Sequence, residues 1–177
     1  MSGSTYISMF FSLLVKEVHL FDYSEEAIKK ANIDCSAFEN IYPYVDNLLT
    51  LKKTKETKKQ YEKIFVGGAL QYFDNYSEIQ VIMENLFDIT SVDGRIFISQ
   101  TPDISLREKH ISTYQALGWP KEKINNSIKE ELTNRFWVDF NKLKSIALSV
   151  GFKVCKQTKN NPSLFQSSHM FDFYLEK

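Results

Sequence analysis

Short apolar runs alternate with longer amphipathic segments along most of the chain. Runs rich in aromatic and branched residues at 17–22, 63–73 and 94–103 are typical of buried strands, and the last of them includes the end of the turn "VDG". Residues 76–90 separate two of these runs and have apolar side chains at helical spacing. This alternation predicts an α/β fold, with a mostly parallel sheet that is covered by helices on both faces.

The two ends of the chain complete this pattern. At the start, a loop leads into the apolar segment "ISMFFSLLV" at 7–15, for which we predict a buried helix. Near the other end, a helix at 140–152 should end at Gly151. The segments 152–157 and 170–177 should then form a closing antiparallel hairpin.

Three segments are less regular. Residues 41–51 are apolar, but Pro43 favours an irregular or edge geometry near their start. The lysine-rich residues 51–63 are typical of a solvated helix or loop. Residues 104–135 have no clear period, and they fit either a lid that faces the substrate or a plain helical connector.

Composition favours a single globular domain spanning residues 1–177. Of the 177 residues, 43% are hydrophobic and 25% are charged, and 22 basic side chains balance 22 acidic ones. The balance argues against nucleic acid as a partner, and no apolar run approaches the roughly 20 residues needed to span a bilayer. Cys35 and Cys155 are the only cysteines, and they indicate reduced thiols in a cytoplasmic protein, with a single disulfide as the alternative.

The stretch "VHLFDYSEEAI" places an acid at the end of a strand and directly before a helix. Ligands of doubly wound sheets bind beyond the carboxyl ends of the strands, where an acid accepts hydrogen bonds from the hydroxyls of a ribose. Asp22 has this position, and Gly3 precedes it by 19 residues, near the spacing of a glycine turn in a nucleoside site. The alternative is that Asp22 only caps the helix that begins near Ser24.

Several segments, taken in order from Ser2 to the C-terminus, resemble the class I S-adenosylmethionine-dependent methyltransferases. "SGSTYIS" is similar to the second half of that family's glycine-rich loop, and "VHLFDYSEEAI" to its second strand with the ribose-binding acid. "YVDNLLTL" is similar to the motif that contacts adenine, "YEKIFVGGALQYFDN" to the fourth strand and "VDGRIFIS" to the fifth strand. "FNKLKSIALSVGFKV" and "FDFYLEK" are similar to the last helix and the closing hairpin. The resemblance implies a Rossmann-like doubly wound sheet and S-adenosylmethionine as the cofactor.

The resemblance also implies roles for individual residues. Asp22 would bind the ribose hydroxyls, with Tyr23 beside the adenine ring. Asp46 would accept a hydrogen bond from the adenine amino group, and Asn47 would offer a neighbouring contact. The remaining implied cofactor contacts lie in the glycine-rich loop and after the fourth strand: Gly3, Gly67, Gly68 and Gln71. Judged without the resemblance, Asp46 is equally a turn residue, and the glycine pair could relieve crowding between strand and helix.

The chain departs from the family's pattern at its start. Met1 and Thr5 stand where the first and third glycines of the loop would be, which leaves Gly3 alone. The strand before the loop, in the middle of the family's sheet, is missing, and each backbone group buried there without a partner would cost about 1 to 3 kcal/mol. Either the chain is shortened, which we favour, or its sheet closes the gap by pairing the flanking strands or by taking a strand from another chain. A shortened chain would bind the cofactor poorly.

Methyl transfer from a sulfonium requires mainly that the protein align the acceptor with the methyl group and exclude water. A general base helps when the acceptor is a hydroxyl or a protonated amine. The catalytic candidates are His169, His110 and Tyr72. Aromatic side chains that could wall a substrate pocket, or could equally be core residues, are Tyr72, Tyr114, Phe136 and Trp137.

The histidines and cysteines have no spacing typical of a metal site. By elimination, the acceptor is a small-molecule hydroxyl or amine, such as a sugar or another metabolite. Two alternatives remain beside this prediction. An NAD-type Rossmann oxidoreductase has the same glycine turn and acid, although "VDNLLTL" and "GGALQYF" favour the methyltransferase. A truncated, non-catalytic remnant would instead form a homo-oligomer through exposed strands.

Overall fold

The computed structural model describes residues 3–158 and 161–177. Met1 and Ser2, which belong to the segment compared with the glycine-rich loop, lie outside the described residues. The chain divides into two compact units, Met1–Lys59 and Gln60–Lys177. The interpretation as one domain therefore stays a prediction.

The first unit contains two parallel strands and three helices. In chain order these are α1 (Gly3–Ser12), β1 (Val18–Asp22), α2 (Glu25–Asp34), β2 (Ile41–Val45) and α3 (Lys52–Glu56). β1 pairs in parallel with β2, so that the carboxyl ends of both strands lie at the same edge. The small core of this unit is built from Leu20, Ala31, Cys35 and Ile41, with Met9, Val18 and Phe38 packed against it.

The helix α1 differs from its prediction in two ways. It begins at Gly3, within the predicted loop and before the predicted start at Ile7. Its buried face is formed by three small hydroxylic side chains, Thr5, Ser8 and Ser12. Because the helical period places these residues on the inner face, large apolar side chains such as Phe10 are exposed, and the prediction of a buried helix is wrong for them.

The second unit is a four-stranded sheet with helices. Its elements are β3 (Tyr61–Gly67), α4 (Tyr76–Ile89), β4 (Thr90–Pro102), α5 (Arg107–Gln115), α6 (Lys121–Thr133), α7 (Phe140–Val150), β5 (Val154–Gln157) and β6 (Met170–Glu176). The strand order is β3-β4-β6-β5, with β3 parallel to β4 and β6 antiparallel to both of its neighbours. The α/β class and the closing antiparallel hairpin are thereby confirmed.

Apolar spacing and helix caps explain the longer helices of this unit. The side chains of α4 that recur at helical spacing, Ile79, Ile82, Met83 and Leu86, are all buried. Gly151, at a φ of 121°, ends α7 as predicted. Residues 104–135, for which a lid or a connector was predicted, contain the helices α5 and α6.

The predicted turn "VDG" lies inside β4 and is not a separate turn. Tyr61 is opposite Thr90, whereas Lys63 is already opposite Arg95, so β4 contains an irregularity at this point. Within this irregularity, Asp93 has a left-handed backbone, at a φ of 59°. A turn signal in the sequence thus corresponds here to a bulge within a longer strand.

Within the described ranges, β1 is hydrogen-bonded to one strand, β2, and β3 to one strand, β4. The described residues that precede β1 contain the helix α1 and no strand, and the shortening of the chain stays a prediction. None of the helices in residues 3–158 and 161–177 has the length and apolarity that a membrane crossing requires.

Candidate functional site

Two predicted cofactor residues of the first unit lie at the carboxyl ends of adjacent strands. Asp22 is the last residue of β1, and Asp46 directly follows β2. The backbone N–H of Asp46 donates to the carbonyl oxygen of Asp22 at 3.1 Å. The parallel pairing therefore brings together two acids that are far apart in the sequence, at the edge where ligands of such sheets bind.

The carboxylate of Asp22 is only partly used by the protein. Its Oδ1 accepts a hydrogen bond from the backbone N–H of Ser24 at 2.9 Å. The side chain of Ser24 in turn accepts from the N–H of Ala27 at 3.2 Å and caps α2. Oδ2 of Asp22 has no hydrogen-bond partner within the described residues. Asp22 thus supports the turn before α2 and keeps one oxygen available for a ligand.

Both carboxylate oxygens of Asp46 accept hydrogen bonds from the protein, unlike those of Asp22. It is only 7% exposed, its Oδ1 accepts from Asn47 N–H at 2.9 Å, and its Oδ2 accepts from the backbone N–H and Oγ1 of Thr54 at 2.8 and 2.7 Å. Burial opposes ionisation, but these hydrogen bonds outweigh it and hold the pKa of Asp46 below its usual value. Asp46 therefore anchors α3 to the end of β2, and its contact with adenine stays a prediction.

The two neighbours of these acids are exposed. The ring of Tyr23 is 75% exposed directly after β1. Asn47 is also exposed, and its Oδ1 accepts from the N–H of Leu49 at 2.8 Å. Tyr23 thus offers a free aromatic face, whereas Asn47 uses part of its amide to shape the loop before α3.

The predicted glycine pair of the second unit lies at the carboxyl end of β3. Gly68 has a left-handed backbone, at a φ of 60°, and its N–H donates to the carbonyl of Ser99 at 3.0 Å. The left-handed backbone angle favours glycine here, and a Cβ on Gly68 would lie 3.1 Å from Oε1 of Gln100, so the end of that side chain would have to shift slightly. Gln71 donates to the carbonyl of Gly68 at 3.1 Å, while its own buried Oε1 has no hydrogen-bond partner among the described residues.

A bulge near the end of β4 brings Ser99, Gln100 and Asp172 together at this edge. Between Ile98 and Thr101 the register against β6 shifts, so that Ser99 and Gln100 both lie opposite Asp172. Gln100 has a left-handed backbone, at a φ of 58°, and its N–H donates to Oδ1 of Asp172 at 2.8 Å. Such strained backbone in a residue other than glycine is concentrated at functional sites.

Asp172 was not predicted as a site residue. Its only signal in the sequence is an acid between Phe171 and Phe173, where the alternation of a strand turns its side chain away from the buried faces of the two rings. The bulge itself has no local signal, because it depends on the register between two strands distant in the sequence. Asp172 therefore becomes visible only in the folded sheet.

The two predicted catalytic histidines come together in the second unit. His110 lies on α5 and His169 directly precedes β6, and their rings stack with centroids 3.9 Å apart and planes at 22°. Burial, together with nearby His110 and Arg135, lowers the pKa of His169 to about 4. Burial also lowers the pKa of His110, and Glu131 only partly offsets this effect. Both rings are therefore neutral at pH 7.

Polar side chains surround the histidine pair. Oε1 of Glu131 lies 3.6 Å from Nε2 of His110 and accepts from the hydroxyl of Tyr114 at 3.0 Å. Oε2 of Glu131 lies 3.1 Å from Nη1 of Arg135, and Nδ1 of His169 lies 3.0 Å from the hydroxyl of Ser168. This buried cluster packs α5 and α6 against the start of β6, and a base role for either histidine stays a prediction.

The predicted aromatic residues have different environments. Tyr72, in the short 3-10 turn Leu70–Tyr72, is 70% exposed. Tyr114 and Phe136 are half-buried, and Trp137 is buried with its Nε1–H donating to the carbonyl of Glu131 at 3.0 Å. Tyr72 is thus the aromatic candidate with the most access to a ligand, and Trp137 is a core residue.

In the part of the chain that the structure describes, no group of three or more histidine, cysteine, aspartate and glutamate side chains could hold a metal ion. Cys35 and Cys155 are both free and buried.

No family model matches the chain, and no curated protein matches it. Solved structures do match: PigF with SAH shares 13% identity at a TM-score of 0.65, and the match covers 99% of this chain and 48% of PigF. The N-methyltransferase NodS from Bradyrhizobium japonicum WM9, in complex with S-adenosyl-L-homocysteine, shares 11% identity at a TM-score of 0.61, with 96% and 72% covered. An O-methyltransferase family protein from Burkholderia thailandensis shares 10% identity at a TM-score of 0.60, with 91% and 43% covered.

The chain has a methyltransferase fold. The resemblance found in the sequence is thereby confirmed at the level of the fold. The chain spans about half the length of several of the matched structures: the match covers 48% of PigF, 43% of the Burkholderia protein and 50% of an O-methyltransferase from Nostoc punctiforme PCC 73102.

Proposed function

We propose that the chain is an S-adenosylmethionine-dependent methyltransferase that acts on a small-molecule hydroxyl or amine. The fold supports this proposal, and one observation carries it: Asp22 lies at the carboxyl end of β1 with a carboxylate oxygen that the described residues do not use. An acid in this position suits the hydroxyls of a ribose. The unpaired thiols of Cys35 and Cys155 support a cytoplasmic location.

The residues at these edges fit parts of the cofactor. Asp22 would accept hydrogen bonds from the ribose, and the exposed ring of Tyr23 would lie against the adenine. Asp46 would act mainly by fixing the loop that presents Asn47, because its own oxygens already accept hydrogen bonds from the protein. Gly67, Gly68 and Gln71 are candidates for contacts with the methionine part. Gly3, the first residue of α1, is the remaining candidate for a cofactor contact.

When bound, S-adenosylmethionine supplies a methyl group that the sulfonium has already activated. The protein then has to orient the acceptor and exclude water. Gln71 and Gln100 offer amide groups for this purpose next to Gly68, and Tyr72 offers an exposed ring. Since His110 and His169 are buried and neutral, a base role for either would require the cluster around them to open.

Calorimetric titration with S-adenosylhomocysteine tests the proposal. We expect weak but measurable binding by the natural chain. Asp22→Asn should bind at least tenfold more weakly, a difference of about 1.4 kcal/mol in the free energy of binding. The amide oxygen of the variant can still accept from Ser24, so its turn is kept, but it lacks the charge and the second acceptor oxygen. Ser24→Ala is the matched control, because it removes the cap of α2 and leaves the carboxylate in place.

Two outcomes would contradict the proposal. A folded natural chain that binds no S-adenosylhomocysteine but binds NAD would favour the oxidoreductase alternative. A loss of affinity in Ser24→Ala equal to that in Asp22→Asn would show that Asp22 acts only through the turn. Light scattering on the same sample measures whether the chain self-associates, as the alternative of a non-catalytic remnant requires.

A further inference from the structure

The geometry points to a subsite for the amino group of the methyl acceptor at the β4 bulge, with Asp172 as its positioning residue. This inference rests on the proposed methyltransferase function. A small cleft opens beside the bulge, with a volume of about 90 Å³. Its lining is mostly polar: Ser99, Gln100, Asn161, Leu164, Gln166, Ser167 and Asp172.

Some polar groups of this cleft form hydrogen bonds within the protein and others do not. Asn161 and Ser167 are committed, because Asn161 Oδ1 accepts from Ser163 N–H at 3.0 Å and the hydroxyl of Ser167 donates to the carbonyl of Asn161 at 2.6 Å. Four other groups have no hydrogen-bond partner within the described residues: the hydroxyl of Ser99, the side-chain amides of Gln100 and Gln166, and Oδ2 of Asp172. The cleft therefore contains hydrogen-bonding capacity that a ligand can use.

Backbone interactions fix the position of these hydrogen-bonding groups. Oδ1 of Asp172 is fixed by the N–H of Gln100, which fixes the direction of the whole carboxylate. Gln100 has a left-handed backbone at this point, a conformation that favours glycine. The chain nevertheless has a residue with a polar side chain here, and such strain is concentrated at functional sites. A bulge next to a site commonly serves to aim a side chain, and here it places Ser99 and Gln100 together against Asp172.

The charge of Asp172 selects an amine over a neutral hydroxyl. No lysine or arginine of the described residues forms an ion pair with this carboxylate. An ammonium group would compensate the charge and donate to Oδ2, and charge-assisted hydrogen bonds are roughly twice as strong as neutral ones. The hydroxyl of Ser99 and the glutamine amides can then bind a hydroxyl beside the amine.

The size of the cleft limits what enters it. A volume of about 90 Å³ is smaller than the cavity of about 150 Å³ that takes up benzene. One end of a ligand fits, such as an amino alcohol group, whereas a whole ring does not. The remainder of the acceptor would extend out of the cleft toward Gly68, whose missing Cβ leaves Gln100 accessible.

Nuclear magnetic resonance titration of the full chain with ethanolamine hydrochloride at pH 7 tests the subsite. We expect millimolar binding, with shifts at the backbone amides of Ser99, Gln100 and Asp172, and at least tenfold weaker binding of ethylene glycol. Asp172→Asn keeps an acceptor for the N–H of Gln100 but removes the charge, so it should lose the response to ethanolamine. Asp103→Asn is the matched control, since Asp103 follows the same strand and its Oδ1 accepts a hydrogen bond from the N–H of Ser105, but it does not line the cleft.

The inference is overturned if ethylene glycol binds as well as ethanolamine, or if Asp172→Asn responds like the natural chain. Calorimetry with S-adenosylhomocysteine on the same samples separates the two levels. If the chain binds S-adenosylhomocysteine but does not respond to ethanolamine, the subsite is contradicted and the methyltransferase function is not. An ethanolamine response without binding of S-adenosylhomocysteine would contradict the methyltransferase function and leave an amine site of another kind.

Discussion

At the scale of single residues, two glycines of the second unit share one backbone conformation in different surroundings. Gly68 and Gly118 have φ values of 60° and 64°. A Cβ on Gly118 would meet nothing within 4 Å, whereas a Cβ on Gly68 would lie 3.1 Å from Oε1 of Gln100. Comparing the two separates the cost of the backbone angle from the cost of the contact.

We therefore predict that Gly118→Ala lowers the free energy of unfolding by about 1 kcal/mol, the penalty of a left-handed alanine. Gly68→Ala should lower it by about 0.5 kcal/mol more, because the end of the exposed Gln100 side chain must shift to admit the Cβ. Urea unfolding monitored by circular dichroism measures both. The double variant Gly68→Ala with Gln100→Ala removes the contact and should return to the level of Gly118→Ala. Equal losses in both single variants would show that the contact with Gln100 has no effect.

At the scale of elements, regular periodicity and caps were predictable, and irregular pairing was not. The spacing of apolar residues predicted α4, and Ser24 and Gly151 correctly marked the start of α2 and the end of α7. The irregularity at Asp93 appeared in the sequence as a turn, since a left-handed residue before glycine gives the same local signal in both settings. The position of Asp22 at the end of β1 could be predicted because it is local to one strand, whereas its role in a site stays a prediction. The surroundings of Asp172 depend on the register between two strands.

The histidine pair links three elements of the second unit and makes their packing sensitive to acid. His110, on α5, and His169, before β6, have pKa values below the unfolded value of about 6.5. Glu131 and Arg135 face the pair, together with the hydroxyls of Tyr114 and Ser168. Below pH 6.5 the unfolded chain takes up protons at these two positions while the folded chain does not, so acid favours unfolding.

We predict that stability is independent of this pair above about pH 7 and falls as the pH decreases from about 6.5 toward 4. His169 contributes a slope of at most about 1.4 kcal/mol per pH unit in this window. Urea unfolding at a series of pH values measures the slope. His169→Gln, which cannot take up the proton, should show a shallower slope whatever its absolute stability. An unchanged slope in this variant would show that other groups cause the acid sensitivity.

At the scale of the whole molecule, the chain has two cores of unequal size. The core of Met1–Lys59 consists of a few residues around Leu20 and Cys35, and a unit of this length buries only about 60% of its surface on folding. Gln60–Lys177 buries a longer series of large apolar side chains, including Ile82, Ile96 and Phe173. The two cysteines fall one in each unit, and both are buried, so their thiols report on the two cores separately.

We predict that Cys35 becomes accessible to a thiol reagent at a lower urea concentration than Cys155. The smaller core provides less apolar burial to oppose unfolding, and burial protects both thiols, raising the pKa of Cys155 to about 11. Pulse labelling followed by mass spectrometry of the peptides measures the two midpoints, after correction for labelling rates in full denaturant. The fluorescence of Trp119 and Trp137, which both lie in the larger unit, should follow the midpoint of Cys155. Coincident midpoints for the two thiols would instead show that the units unfold together, as the prediction of a single domain requires.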